Sequence, residues 1–210
     1  MVQYNSGNYD KYMSRNLLKR SMVKRLNKKI VSNISEMAKN IGTENVKLKI
    51  LDAGCGEGFI TDLLYHNLEN AEFTGVDFTE EALVIAQQIN KRIHFVQGDI
   101  YEMPFEDLSF DIVICTEVLE HLEDPEKAVL ELKRLAREYI LLTVPNEPWF
   151  CMGNLIALKN VSRWGNPVDH INHWTFGAFK RFVSIRLGGA FRFDRSFPWS
   201  IAEWRREREL

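Results

Sequence analysis

The stretch LDAGCGEGFITDLL at residues 51–64 sets three glycines, Gly54, Gly56 and Gly58, into five positions between an apolar run and a helical pattern. Ahead of it VKLKIL reads as a β-strand. Behind it Phe59, Ile60, Leu63, Leu64 and Leu68 recur at helical spacing and predict a buried helix face. Glycine at a strand-to-helix turn lets the backbone bend sharply and lets a ligand approach the main chain. A tight turn needs only one such residue. Three in alternation point to a loop that cradles a ligand.

The rest of the chain repeats the strand–helix alternation. KLKILDAG, AEFTGVDF, IHFVQGDI, FDIVICTEVL and EYILLTVPN read as strands, the fourth as one buried on both faces. TEEALVIAQQIN reads as a helix capped by Thr79 with Glu80 and Glu81 in its first turn, and Asp124-Pro125 starts a second helix over EKAVLELKRLA. Such alternation predicts a parallel, doubly wound α/β sheet. From about 147 to 175 the periodicity lapses into an aromatic-rich stretch that reads as an inserted lid of loop and short helix. FGAFKRFVSIRLGG then resumes as a helix, and AFRFDRSFPWSI alternates as an edge hairpin.

With 210 residues and 45% apolar side chains, the chain suits one well-cored domain. Its net charge of −2 carries no global signature of nucleic-acid binding, but the charge is unevenly spread. Residues 1–49 hold 11 Lys/Arg against 3 Asp/Glu. Val23, Leu26, Ile30, Ile34, Met37 and Ile41 fall there at three- and four-residue steps, which predicts an amphipathic helix with a cationic outer face. Residues 1–45 are therefore expected to form a helical cap on a domain spanning 46–210. Cys55, Cys115 and Cys151 are odd in number and lack zinc-type spacing. With no apolar leader and no run of 18 apolar residues, a soluble cytoplasmic protein with no membrane span is expected.

In open α/β sheets ligands lie across the carboxyl ends of the strands, and Asp52, Asp77 and Asp99 fall at such ends. Asp77, 19 residues beyond Gly58, stands where a carboxylate can accept both ribose hydroxyls of a nucleoside over the glycine turn. Asp99 can accept from an exocyclic amine such as that of adenine. The set predicts an adenosine-containing ligand. A dinucleotide fingerprint would need its third glycine at position 59, where Phe59 stands, and no Gly-Lys-Ser/Thr phosphate loop is present. Together LDAGCGEG, GVDFTEEAL, GDIYEMPF and FDIVICTEVLEHL, from about Ile50 to Asn146, resemble the class I S-adenosylmethionine-dependent methyltransferases.

That resemblance implies a mostly parallel, seven-stranded Rossmann-like sheet with an antiparallel last strand, and S-adenosylmethionine as cofactor. It implies that the turn Asp52, Ala53, Gly54, Cys55, Gly56 to Gly58 holds the methionine moiety and ribose, and that Asp77 clasps the ribose. Gly98, Asp99 and the Ile100 amide would read adenine with Phe78 against its face, while Thr116 and Glu117 border the methionine end. SRNLLKR is similar to the N-terminal helix of ubiquinone-type O-methyltransferases, which makes Arg15 a partner for the methionine carboxylate.

TEVLEHLEDP places Glu117, Glu120 and His121 on one side of a turn, and DHINHWT adds His170 and His173 from the lid. His121, with Glu117, is expected to act in catalysis as a metal-free base. The same carboxylates and imidazoles also suit a divalent metal, and their arrangement resembles the metal-assisted RNA 2′-O-methyltransferases. O-methylation of a small-molecule or lipid-like acceptor is the function expected. RNA methylation through the basic helix, and a non-catalytic methyltransferase-fold binding subunit, are the alternatives.

Overall fold

The computed structural model describes residues 16–42, 47–156 and 160–207. It opens with the predicted amphipathic helix, α1 (Leu17–Ile41), whose first turn is closed by the Asn16 side chain accepting from the Lys19 N–H at 3.1 Å. There follow β1 (Leu48–Ala53), α2 (Phe59–Tyr65), β2 (Ala71–Asp77), α3 (Glu80–Ile89), β3 (His94–Gln97) and β4 (Phe110–Thr116). The second half runs α4 (Pro125–Leu135), β5 (Ala136–Pro145), α5 (Trp149–Ile156), α6 (Phe176–Leu187), β6 (Ala190–Ser196) and β7 (Trp199–Arg205). The strands form one seven-stranded sheet in the order β3-β2-β1-β4-β5-β7-β6, with β7 antiparallel to β5.

Period-two alternation builds a core on each side. Along β4, Ile112 and Ile114 face α1, α2 and α3, while Val113 and Cys115 face α4 and α6. A central parallel strand must be apolar on both faces, which explains the unbroken FDIVIC. On the first side α1 lays down Val23, Leu26, Ile30, Ile34 and Met37, all buried. Ion pairs with β6 fix its direction: Lys29 meets Asp194, and Glu36 meets Arg192 at 2.7 Å. The helix therefore runs antiparallel to β6, with its N-terminal half toward the carboxyl ends of the parallel strands.

The hairpin at the chain's end differs from its sequence pattern in one respect. β6 is the edge strand, as its alternation implies, but β7 is an inner strand lying between β5 and β6. Its charged residues are accommodated by pairing: Glu203, 7% exposed, accepts from Arg192 at 2.8 Å. Two other expectations need correction. Thr79 stands at the head of α3 but its hydroxyl makes no cap; its N–H donates to Asp77 Oδ1 at 2.9 Å. Strand β5 begins at Ala136, two residues before the expected EYILLTVPN.

Since Ile34 is fully buried in the core beneath α1, Ile34→Ala should lower unfolding stability by about 2–4 kcal/mol. Urea denaturation followed by circular dichroism measures this, and an unchanged midpoint would mean α1 is not part of the cooperative core.

Candidate active site

The glycine turn joins β1 to α2, and its three glycines share a left-handed backbone, with φ of 77°, 53° and 75° at Gly54, Gly56 and Gly58. Two positions are closed to side chains for a second reason. A Cβ at Gly54 would overlap the Val118 side chain, and one at Gly58 would lie 3.0 Å from Ala86 and Phe95. The turn is stitched to the end of β2. Gly54 and Cys55 N–H groups donate to the Val76 carbonyl at 2.7 and 2.9 Å, and the Gly56 N–H donates to Asp77 Oδ2 at 2.8 Å. One Asp77 oxygen thus holds the glycine turn and the other holds the start of α3.

Between this turn, the end of β4 and α1 lies a cleft lined by Asp52, Cys55, Glu57, Thr116, Glu117 and, from the helix, Leu26 and Ile30. Asp52 is 1% exposed. Its Oδ2 accepts from the Thr61 hydroxyl at 2.6 Å, while its Oδ1 is buried with no hydrogen-bond partner among the described residues. Burial raises the Asp52 carboxyl to about 6, opposed by the Thr61 hydrogen bond and assisted by the Asp77 charge. Burial also raises the Glu57 carboxyl. Glu117 lies in the left-handed region at φ 59° and accepts from Trp199 Nε1 and, at 3.3 Å, from the Thr143 hydroxyl. The cleft is walled by three carboxylates, and no lysine or arginine is among its described lining residues.

A family model described as a methyltransferase domain matches residues 44–168. The chain belongs to the class I methyltransferase family. A probable S-adenosylmethionine-dependent methyltransferase of Mycobacterium tuberculosis is 35% identical over 148 residues, covering 70% of this chain and 53% of that protein. The ubiquinone biosynthesis O-methyltransferase of Rickettsia prowazekii is 34% identical over 51% of this chain and 43% of its own length. In fold, the magnesium protoporphyrin IX methyltransferase of Synechocystis PCC 6803, solved with bound SAH, superposes with a TM-score of 0.69 at 19% identity over 97% of this chain and 96% of that one. The chain spans about a fifth to about half the length of the first curated relatives it matches.

Against this frame of a class I methyltransferase, the cleft gathers Asp52, Gly54, Cys55, Thr116 and Glu117 from the predicted set. Gly56, Gly58 and Asp77 are not among its lining residues; Gly56 is tied to Asp77 as above, and the Gly58 N–H donates to the Cys55 carbonyl at 2.9 Å. Ala53 is not in the lining; its side chain is fully buried in the core on the α4 side, so its backbone is what the turn offers. Gly98, Asp99 and Ile100 follow β3 on the open side. There Asp99 Oδ1 accepts from the Tyr101 N–H at 2.9 Å, and Phe78 stands 77% exposed with an uncovered ring face. Arg15 lies outside the described residues. Leu26, Ile30, Glu57, Phe59 and Ile60 are the lining residues that sequence reasoning missed; the last two were read only as a buried helix face. The signals were present: Leu26 and Ile30 sit on the buried face of α1, and Glu57 sits inside the glycine motif.

Past the end of β4, residues 147–175 fold back onto the turn that carries Glu120 and His121. The lid's ends are tied where the Glu147 N–H donates to the Trp174 carbonyl at 2.9 Å, and its far arm docks as Ile171 and Asn172 N–H groups donate to the Glu120 carbonyl at 2.9 and 3.0 Å. Docking brings His170 edge-on to His121, with ring centroids 4.9 Å apart. Glu120, His121 and His170 then offer ligand atoms within 4.8 Å of one another. Glu117 does not join them: Trp199 and Thr143 hold it in the cleft. His173 also stays apart, 3.1 Å from the Asn166 amide and 3.9 Å from Glu147. His121 Nδ1 lies 2.9 Å from the Asp169 carbonyl and 3.3 Å from its carboxylate. Two oxygens there favour a proton on Nδ1, which leaves Nε2 as the basic nitrogen.

Asp52 gives the site a pH signature. Its carboxyl in the folded chain, at about 6, lies above the ordinary value of 3.8, so the folded state binds the proton more tightly. The group's contribution to stability is therefore fully present below about pH 4 and is lost as pH rises through 6. Asp52→Asn, which keeps an acceptor for Thr61 without the charge, should raise stability by about 1–3 kcal/mol at neutral pH and change it little at pH 4. Thermal unfolding at the two pH values measures the difference. An equal effect at both would mean that the carboxylate's charge is not the cause.

Proposed function

We propose that this chain is an S-adenosylmethionine-dependent O-methyltransferase acting on a small-molecule or lipid-like acceptor, with His121 as the general base. The observation that carries this reading is the sign of the cleft. A glycine turn walled by Asp52, Glu57 and Glu117 repels phosphates and suits a nucleoside bearing cationic groups. The buried Asp52 Oδ1 is an acceptor matched to the ligand's ammonium group. Asp77 keeps lone pairs for ribose hydroxyls, and Phe78 offers a face for the base. When bound, S-adenosylmethionine supplies a methyl group on a positively charged sulfur, a leaving group that needs no acid. The chain's own task is then placement and deprotonation of the acceptor. Asp169 orients His121 for the second step. The relatives named as O-methyltransferases and the aromatic lid support an oxygen acceptor of planar or apolar character.

A second reading is favoured by one observation, the convergence of Glu120, His121 and His170. These three would hold a divalent ion, with Asp169 orienting His121 from behind, and the ion would lower the pKa of an acceptor hydroxyl. It is the arrangement expected of a metal-assisted methyltransferase, RNA-directed ones included.

Transfer from methyl-labelled cofactor to metabolite and RNA pools tests both. His121→Ala should lower turnover by about 10²–10⁴ with cofactor affinity unchanged. Cofactor affinity should fall about tenfold per pH unit below about pH 6, as Asp52 protonates, and this fall should vanish in Asp52→Asn. Activity that survives chelation excludes the metal reading. Activity abolished by chelation, restored by a divalent ion and lost in His170→Ala replaces the metal-free base with the second reading.

A further inference from the structure

Of the fifteen large apolar side chains that stand exposed among the described residues, ten lie in the first turn of α1, in residues 149–171 and at the turn between β6 and β7, toward the carboxyl ends of the parallel strands. Helix α5 has no buried residue, and Trp149, Met152 and Ile156, at i, i+3 and i+7, put an apolar stripe on its outer face. The remainder of the lid adds Trp164, 82% exposed, and Val168, 70% exposed. At the turn between β6 and β7, Phe197 stands against Trp149 with ring centroids 6.3 Å apart, so the stripe continues onto the hairpin. Isolated exposed apolar residues need no explanation, but a cluster with two tryptophans at one rim does.

The charge of α1 lies at the same end. Leu17–Ile41 holds seven Lys/Arg, six of them before residue 30, and one acidic residue, Glu36. The pairing of Lys29 with Asp194 sets the helix against β6. From Lys29 back to Leu17 the helix rises about 18 Å. From Asp194 forward to Phe197 the strand gains only about 10 Å. The N-terminal turns of α1 therefore extend past the hairpin, carrying exposed Leu17 and Leu18 together with Arg20, Lys24 and Arg25.

We propose that this end of the molecule docks on an anionic lipid bilayer, with the lid and the tip of α1 entering the headgroup layer and the mouth of the cleft facing the membrane. Cations beside exposed Trp, Phe and Leu are the combination that an anionic interface takes up. An RNA ligand would account for the cations but leave the apolar stripe in water. A protein partner would need an acidic rim around an apolar groove, a narrower match. Docking itself is independent of the methyl-transfer reading. What rests on that reading is its consequence: the acceptor is an amphipathic molecule held in the bilayer and reached from it, so that only its polar head enters the cleft.

The full chain should sediment with vesicles containing phosphatidylglycerol and phosphatidylcholine, and not with phosphatidylcholine alone. High salt should release it. Ile156→Asp/Trp164→Asp and Arg20→Glu/Lys24→Glu/Arg25→Glu should each weaken partitioning at least tenfold. Both variants should bind S-adenosylhomocysteine as the wild type does, which shows that they are folded and separates this proposal from the cofactor reading. Failure to sediment with either vesicle overturns the proposal. So does partitioning that the lid variant leaves intact, or displacement from the vesicles by single-stranded RNA at equal phosphate concentration.

Discussion

The Asp77 carboxylate is the point on which the site's architecture turns. Its two oxygens accept from the Gly56 and Thr79 N–H groups, at 2.8 and 2.9 Å, and so bind the glycine turn after β1 to the start of α3 after β2. A loop with three left-handed glycines has no conformational preference of its own strong enough to hold one shape. The charge-assisted bond from Asp77, with the Val76 carbonyl beside it, supplies that shape from the neighbouring strand. The wall that Gly54 and Cys55 give the cleft follows from where that turn is held, while the sheet and Thr61 place Asp52 beneath it.

The second constraint is the lid. A stretch with no sustained period beyond the short helix α5 gains its order from its ends and its docking arm: Glu147 to Trp174 closes the base, and Ile171 and Asn172 fasten the far side to the turn that carries Glu120 and His121. The arrangement places two histidines and a buried carboxylate together while leaving the outer face of α5 uncovered. A lid that packs only one face onto the protein and leaves the other apolar suits a molecule working at a surface.

What was legible in the sequence is what local physics dictates. Five parallel strands, the glycine turn, the buried face of α1 and the Asp124-Pro125 helix start are all set by period, propensity or backbone strain within a few residues. The antiparallel order of the hairpin was implied by resemblance, but the inner position of β7 was not readable from WSIAEWRR, because the burial of Glu203 depends on Arg192 across the hairpin, which is itself held by Glu36 of α1, 156 residues away in sequence. The same reason hid the fate of Glu117. Spacing put it beside Glu120 and His121, whereas a left-handed backbone and Trp199, 82 residues away, turn it into the cleft. Thr79 likewise has the composition of a cap, but its hydroxyl makes no cap bond, and what ties the start of α3 is its own N–H donating to Asp77.

The central claim is that the turn held by Asp77 is the seat of an adenosine-bearing, cationic cofactor. Calorimetric titration of S-adenosylhomocysteine into the wild type and Asp77→Ala, with NADH as the comparison ligand, tests it most directly. The account predicts binding to the wild type in the low micromolar range, roughly 7–8 kcal/mol, weaker by about 1–3 kcal/mol in the variant, and no competing affinity for NADH. Equal affinity in the two proteins, or tighter binding of NADH, would contradict it.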